Sequence, residues 1–275
     1  MPRGYNQRDE AQLQNRLWTP ALLQPALWLD ASDISTISMV GTGVSEWRDK
    51  SGNNRHATTT VRRPAFLNNA LNGFPVINFT ASSATKLDTP DFSIAPNRQF
   101  CSFGVASGAG LISSGNYPRI WVTKSTGDSG IPSNAYPQGY FGTGATNGSV
   151  AMLAGASTPL TPEITGISTT LPVLISGRFG TAGLASNNLS VAVNGGEQTT
   201  VSGRTGGLST TGIRVGSDVG TLTVSSWNSW IGEIILTQNI SFSESQLIEA
   251  YLAWKWGIPL FATHPYANRP PLIGD

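Results

Sequence analysis

The chain has 275 residues with 17 basic and 16 acidic side chains, and charged residues make up 12% of it, about half the usual share of ~25%. A near-neutral balance without long runs of either sign leaves no footprint for phosphate neutralisation, so nucleic acid is not an expected partner. Eight Trp and ten Phe exclude a disordered chain, while the single cysteine, Cys101, excludes an intramolecular disulfide and a cysteine metal cluster.

Residues 1–25 stand apart as an N-terminal arm. Residues 9–18 can form a short helix with Leu13, Leu17 and Trp18 on its apolar side, broken by Pro20 and Pro25. Such an arm has too little apolar area to be stable alone, so it docks either on its own domain or on a neighbouring chain. Its first residues, MPRGYNQRDEAQ, lack the apolar region of a secretory signal, and no apolar run approaches the ~18 residues of a membrane span. The expectation is a protein folded in a cytosol, as components of virus particles are.

Short strands follow. Residues 27–31 (LWLDA), 44–49 (VSEWRD), 56–61 and 76–80 (VINFT) read as strands, with a sharp turn through Gly52 and another at Gly73. Residues 100–106 alternate, placing Cys101, Phe103 and Val105 inward; residues 120–123 and 140–141 are weaker strands. Residues 173–179 (VLISGRF) and 189–193 come next, and Asn194-Gly195 signals a hairpin. Residues 213–216 precede the last strand, which starts at Trp230 and carries Ile231, Ile234, Ile235 and Leu236. Gly232 inside it marks a bend or a close backbone approach.

The one strong helix signal covers residues 243–257. Ser243 and Gln246 form the capping box, Phe242 and Leu247 the staple, and Leu247, Tyr251, Trp254 and Ile258 the apolar stripe. Gly257 caps the end and Pro259 forbids continuation. Roughly ten to twelve short strands and one helix predict an all-β, antiparallel two-sheet jelly-roll sandwich with one C-terminal α-helix. The sandwich spans residues 26–266, and residues 267–275 form a tail.

The runs LWLDASDISTI, VSEWRDKSGNNRHAT and NGFPVINF, together with LSVAVNGGE, IRVGSD and the stretch from WIGEI to YLAWKWG, resemble concanavalin A-like (laminin G-like) jelly-roll domains. Such domains occur in phage structural proteins and bacterial surface proteins. The resemblance implies the sandwich fold and places Trp28, Trp47, Trp254 and Trp256 in its core. It leaves function open, because this sandwich serves sugar binding, adhesion, hydrolysis and scaffolding alike.

A hydrolytic site would need two carboxylates flanking a sugar bond. Asp30 and Asp33, Glu46 and Asp49, and Asp88 and Asp91 are each three apart, so on a strand they point to opposite faces, and Glu233 is alone in its strand. An enzyme is therefore not expected. Asp49 and Asn53 are weak candidates for a Ca²⁺ site, but too few carboxylates surround them, and hydrogen bonding within their own turn is preferred; no cofactor is expected. Tyr117, Trp121, Tyr136, Tyr140 and Trp227 lie in or beside Gly/Ser-rich loops and are the candidate sugar-stacking residues. The expected function is a non-enzymatic virion structural protein, a phage capsid decoration or tail-associated protein. It would sit on the virion surface, dock through Leu13, Leu17 and Trp18, and have other virion proteins and copies of itself as partners. The alternative is a carbohydrate-binding adhesion module for a host surface glycan, and a glycoside hydrolase ranks third.

Overall fold

The computed structural model describes residues 16–93, 99–111, 118–124, 139–143, 146–154, 162–180, 183–185, 188–202, 212–217 and 226–275, with side chains from 139–143, 153 and 154 left out. Its strands in chain order are β1 Leu27–Asp30, β2 Ile37–Val40, β3 Gly43–Trp47, β4 Ala57–Thr58, β5 Ala65–Leu71, β6 Phe74–Asn78, β7 Leu87–Asp88, β8 Phe100–Ser107 and β9 Arg119–Thr123. Then come β10 Gly139–Thr143, β11 Val150–Ala154, β12 Glu163–Ile164, β13 Pro172–Phe179, β14 Leu189–Val193, β15 Thr199–Val201, β16 Ile213–Val215 and β17 Trp230–Gln238, before the helix α1, Phe242–Trp256.

All pairings between these strands are antiparallel and fall into two layers. One runs β1–β17–β8–β13–β14–β15, with β5–β6 joining β17 beyond the end of β1. The other runs β2–β3–β4–β7–β16–β9–β10–β11–β12. Gly43 opposite Ala65 joins the two at one side. The fold is the expected β-sandwich, with one α-helix among the described residues.

Strand β17 shows how the first layer is buried on both faces. Ile231, Ile234 and Leu236 enter the core between the layers, while Ile235 enters a second core beneath α1. Residues 231 and 234 would face opposite ways on a regular strand. A bulge between Ile231 and Glu233, with Gly232 as the extra residue, restores the phase. A Cβ on Gly232 would sit 3.0 Å from the Trp256 ring, so the glycine also admits the helix. Both halves of the expectation for Gly232 hold.

In β8 the alternation is real but its sense differs from expectation. Cys101, Phe103 and Val105 face α1, and Phe100 and Ala106 face the other layer. Cys101 is sealed in the helix-side core, where burial pushes its thiol up to about 12. At the expected hairpin, Asn194 and Gly195 take φ of 51° and 66°, the left-handed pair that such a turn requires.

Helix α1 ends as predicted, with Gly257 in the left-handed conformation, but begins two residues earlier. Ser241 is the N-cap, and Glu244 completes the capping box from the third helical position. Phe242 is therefore the first helical residue, half exposed, and no staple forms with Leu247.

Of the predicted stripe, Leu247 and Ile258 are buried in the helix-side core and Tyr251 packs against it, but Trp254 does not join them. Ile248, Leu252 and Trp256 pack on the sheet, with Ser245 and Glu249 buried beside them, while Trp254 is 44% exposed. The cause lies in the sheet, which presents polar groups to the helix. Glu249 accepts a hydrogen bond from Arg178 of β13 at 2.7 Å, and a further one from Ser176. A polar buried face is invisible to hydropathy, so apolar periodicity extends the stripe to Trp254 and misses Ser245 and Glu249.

Residues 16–18 and the C-terminal tail meet over α1. Trp18 N–H donates to Pro271 O at 3.0 Å and Ile273 N–H to Arg16 O at 2.8 Å, so residues 16–18 and 271–273 run alongside each other. Trp18, placed in the arm by sequence, is buried in the helix-side core against Tyr251. Leu17 pairs with Leu272 and is exposed; Leu13 lies outside the described residues.

Candidate functional site

Of the aromatic residues expected to stack on sugars, the two whose side chains are described, Trp121 and Trp227, are buried. Trp121 sits on the inner face of β9, fully buried, with its Nε1 donating to Ser102 Oγ at 2.7 Å and its ring edge-on to Phe100. Trp227 is fully buried as well, its ring lying where a side chain on Gly110 would be. Both correct the expectation, because an indole enclosed on each face has none to offer a ligand. Tyr117, Tyr136 and the side chain of Tyr140 lie outside the described residues.

The calcium candidates are committed to their own turn. Asp49 accepts from the backbone N–H of Trp28, Ser51 and Arg55 and from Ser51 Oγ, which uses both carboxylate oxygens. Asn53 Nδ2 donates to Pro25 O and Ala26 O. Among the described residues no group of three or more His, Cys, Asp or Glu is placed to hold a metal ion.

One carboxylate pair does exist, hidden from one-strand spacing because it spans two strands. Asp30 of β1 stands opposite Glu233 of β17 in the ladder, and both side chains reach Lys255 Nζ at 2.7 Å. Glu233 also accepts from the indoles of Trp28 and Trp256, each at 2.7 Å. Asp30 is further held by Lys50 Nζ at 2.8 Å, and Lys50 reaches Asp33 at 3.0 Å.

Burial and the neighbouring Asp30 push Glu233 above the ordinary carboxylate value, only partly offset by Lys255. For Asp30, Lys255 and Lys50 outweigh burial and hold the carboxyl below its ordinary value. Glu233 is completely enclosed and Asp30 is 2% exposed. A glycosidic bond has no route to this pair, which instead locks α1 onto the sheet.

Above that cluster the helix, residues 17–18 and the tail form an apolar cleft of about 390 Å³, lined by Trp18, Tyr251, Trp254, Lys255, Pro270 and Pro271 among others. All eight Trp of the chain fall among the described residues, and Trp254 is the one left exposed. Its indole is not loose, since Nε1 donates to Tyr266 O at 2.9 Å. Tyr251 packs edge-on against both Trp18 and Trp28 and receives a hydrogen bond from Lys255 Nζ at 3.3 Å. Burial first, then Glu233 and Asp30, raise the Tyr251 phenol, which stays a neutral hydroxyl. The cleft thus offers rigid aromatic surface with one hydroxyl and one already-paired ammonium. Concave, mostly apolar sites with few polar groups are the usual form of small-molecule sites.

The residues of this cleft were not assembled from sequence. Trp254 was assigned to the core together with Trp256, although residues two apart on a helix point about 200° apart and cannot both face one sheet. That geometric conflict was the available signal.

No protein-family model matches the chain, and no curated protein matches it by sequence. Solved structures do match in fold. The chain is similar to the binding domain of Paraclostridial Mosquitocidal Protein 1 with a TM-score of 0.55 at 12% identity, covering 86% of this chain and 56% of that one. Domain 4 of AbnA, a GH43 extracellular arabinanase from Geobacillus stearothermophilus in complex with arabinotriose, aligns with a TM-score of 0.53 at 10% identity over 80% of this chain and 95% of that one. The binding domain of botulinum neurotoxin serotype D aligns with a TM-score of 0.52 at 10% identity, over 82% of this chain and 50% of that one. The chain therefore spans about half the length of the two toxin chains, and at these identities the likeness is one of fold.

Proposed function

We propose that the protein is a non-catalytic carbohydrate-binding module whose glycan site is the cleft around Trp254. The observation that carries this is the exposed indole of Trp254, clamped by Tyr266 O and set in a concave, mostly apolar surface. Aromatic rings present large, rigid area at low entropic cost, and their faces suit the C–H-rich face of a sugar ring. The fold supports the same reading: it is shared with an arabinanase domain solved with arabinotriose and with two toxin binding domains.

The role on a virus particle has no comparable observation behind it. It rests on the sequence resemblance, and Trp18, one of its three docking residues, is spent on the protein's own core. Hydrolysis is disfavoured because the Asp30–Glu233 pair is sealed beneath α1.

The test is a glycan array followed by calorimetry on the tightest neutral binder, with wild type and Trp254→Ala compared. The variant should fold normally and bind at least about tenfold more weakly, which is ~1.4 kcal/mol. Binding that is indifferent to Trp254, or silence across the array, would remove this assignment.

A further inference from the structure

We propose that the ligand is an extended, uncharged oligosaccharide that occupies two grooves meeting at Trp254. This deepens the glycan-binding reading and rests on it. A second groove of about 210 Å³ lies beside the first, between the C-terminal end of α1 and the tail. Its lining includes Trp254, Gly257, Pro259, Leu260 and Ala267, and Trp254 is the residue common to both grooves.

The geometry argues for length. Sites that enclose a whole small ligand span roughly 300–1,000 Å³. The smaller groove falls below that range and the larger one near its lower end. Each suits part of a chain, and a linear ligand crossing Trp254 would use both. Tyr266 O already takes the indole N–H, so Trp254 contributes ring surface and no donor. Stacking of this kind tolerates differences in hydroxyl stereochemistry, because every sugar ring has a C–H face.

The charges argue for neutrality. Among the described residues, Lys255 is the one charged residue lining either groove. Its Nζ lies 2.7 Å from Asp30 and 2.7 Å from Glu233, and its side chain is only 14% exposed. Asp30 shares Lys50 as well, and Lys50 is in turn shared with Asp33. Three carboxylates thus surround two ammonium groups. A uronate or sialate carboxylate entering here would lose water and find the one described lining ammonium, Lys255, already paired. A neutral sugar carries no such penalty.

The experiment is calorimetry on the full chain with ladders of arabino-, xylo-, cello- and malto-oligosaccharides from monosaccharide to pentasaccharide. Oligogalacturonides of matched length and sialyllactose serve as anionic arms. Wild type, Trp254→Ala and Ala267→Trp, which fills the smaller groove, are compared. The expected result is an affinity gain of about tenfold or more from disaccharide to tetrasaccharide in wild type. Ala267→Trp should lose that gain but keep disaccharide binding, and anionic ligands should bind about tenfold or more weakly than neutral ones.

Should Ala267→Trp fail to fold, the length series on wild type decides alone. Binding that depends on Trp254 but is flat with length, or that favours the anionic arms, overturns this proposal and leaves the glycan site standing. No binding to any ladder, or binding indifferent to Trp254, overturns both.

Discussion

Glu233 Oε2 and Lys255 Nζ lie 2.7 Å apart beneath the cleft, joining β17 to the helix that carries the aromatic surface. The contact is enclosed by the indoles of Trp28 and Trp256, whose N–H groups both point at the same carboxylate. Strand and helix are adjacent in sequence, so this ion pair fixes how the helix folds back onto the sheet.

Glu233→Gln keeps the shape of the side chain but replaces one acceptor oxygen with an NH₂ group. That NH₂ must face an indole N–H or an ammonium, and Lys255 loses half its countercharge. A loss of about 3 kcal/mol is expected, the usual scale for removing one partner of a buried pair. Urea denaturation with unchanged slope and a lower midpoint measures it. A loss under ~1 kcal/mol would mean that Asp30 alone satisfies Lys255.

Acid should destabilise the fold through Glu249 and Asp30. Burial raises Glu249, but Arg178, His264 and Ser176 outweigh it and hold the carboxyl below its ordinary 4.5. Asp30 is likewise held below 3.8. A carboxyl whose folded value is depressed gives stability that is fully present above its ordinary value and lost as pH falls through the folded one. Glu233 has the opposite sign: its raised value gives a contribution present below 4.5 and lost as pH climbs through the folded value. Thermal melts across this range should therefore show a steep fall below pH 4.5 in wild type and a shallower one in Glu249→Gln. An identical acid limb in the two proteins would contradict the assignment to Glu249.

Gly232→Ala tests the packing of helix on strand. The new methyl would lie 3.0 to 3.2 Å from the Trp256 ring, which is fully buried and has no free direction to move. Overpacking of this kind costs about 1–3 kcal/mol. The urea midpoint should drop accordingly; an unchanged midpoint would show that the bulge can absorb the shift.

Local chemistry shows in a sequence, and long-range partners do not. The strand β17, its glycine, the Asn194-Gly195 turn and the C-terminal cap at Gly257 are set by local chemistry and could be read directly. Strand β5 could not, because its residues are mostly exposed and do not alternate. Apolar periodicity misses Ser245 and Glu249 on the helix face, because they are buried by partners on β13 that no local pattern reveals. The cleft joins residues 17–18, 251–255 and 270–271, segments far apart in the chain, and no sequence spacing connects them.

Trp254 carries the proposed glycan site, and its indole N–H reports on it directly. Each of the eight Trp contributes one indole signal to a nitrogen–proton correlation spectrum, and that of Trp254 is assigned by its loss in Trp254→Phe. Titrating with arabinotriose or a tighter neutral oligosaccharide should move the Trp254 signal in step with saturation while those of the enclosed Trp121 and Trp227 stay in place. Saturable binding that leaves the Trp254 signal unmoved would contradict the account.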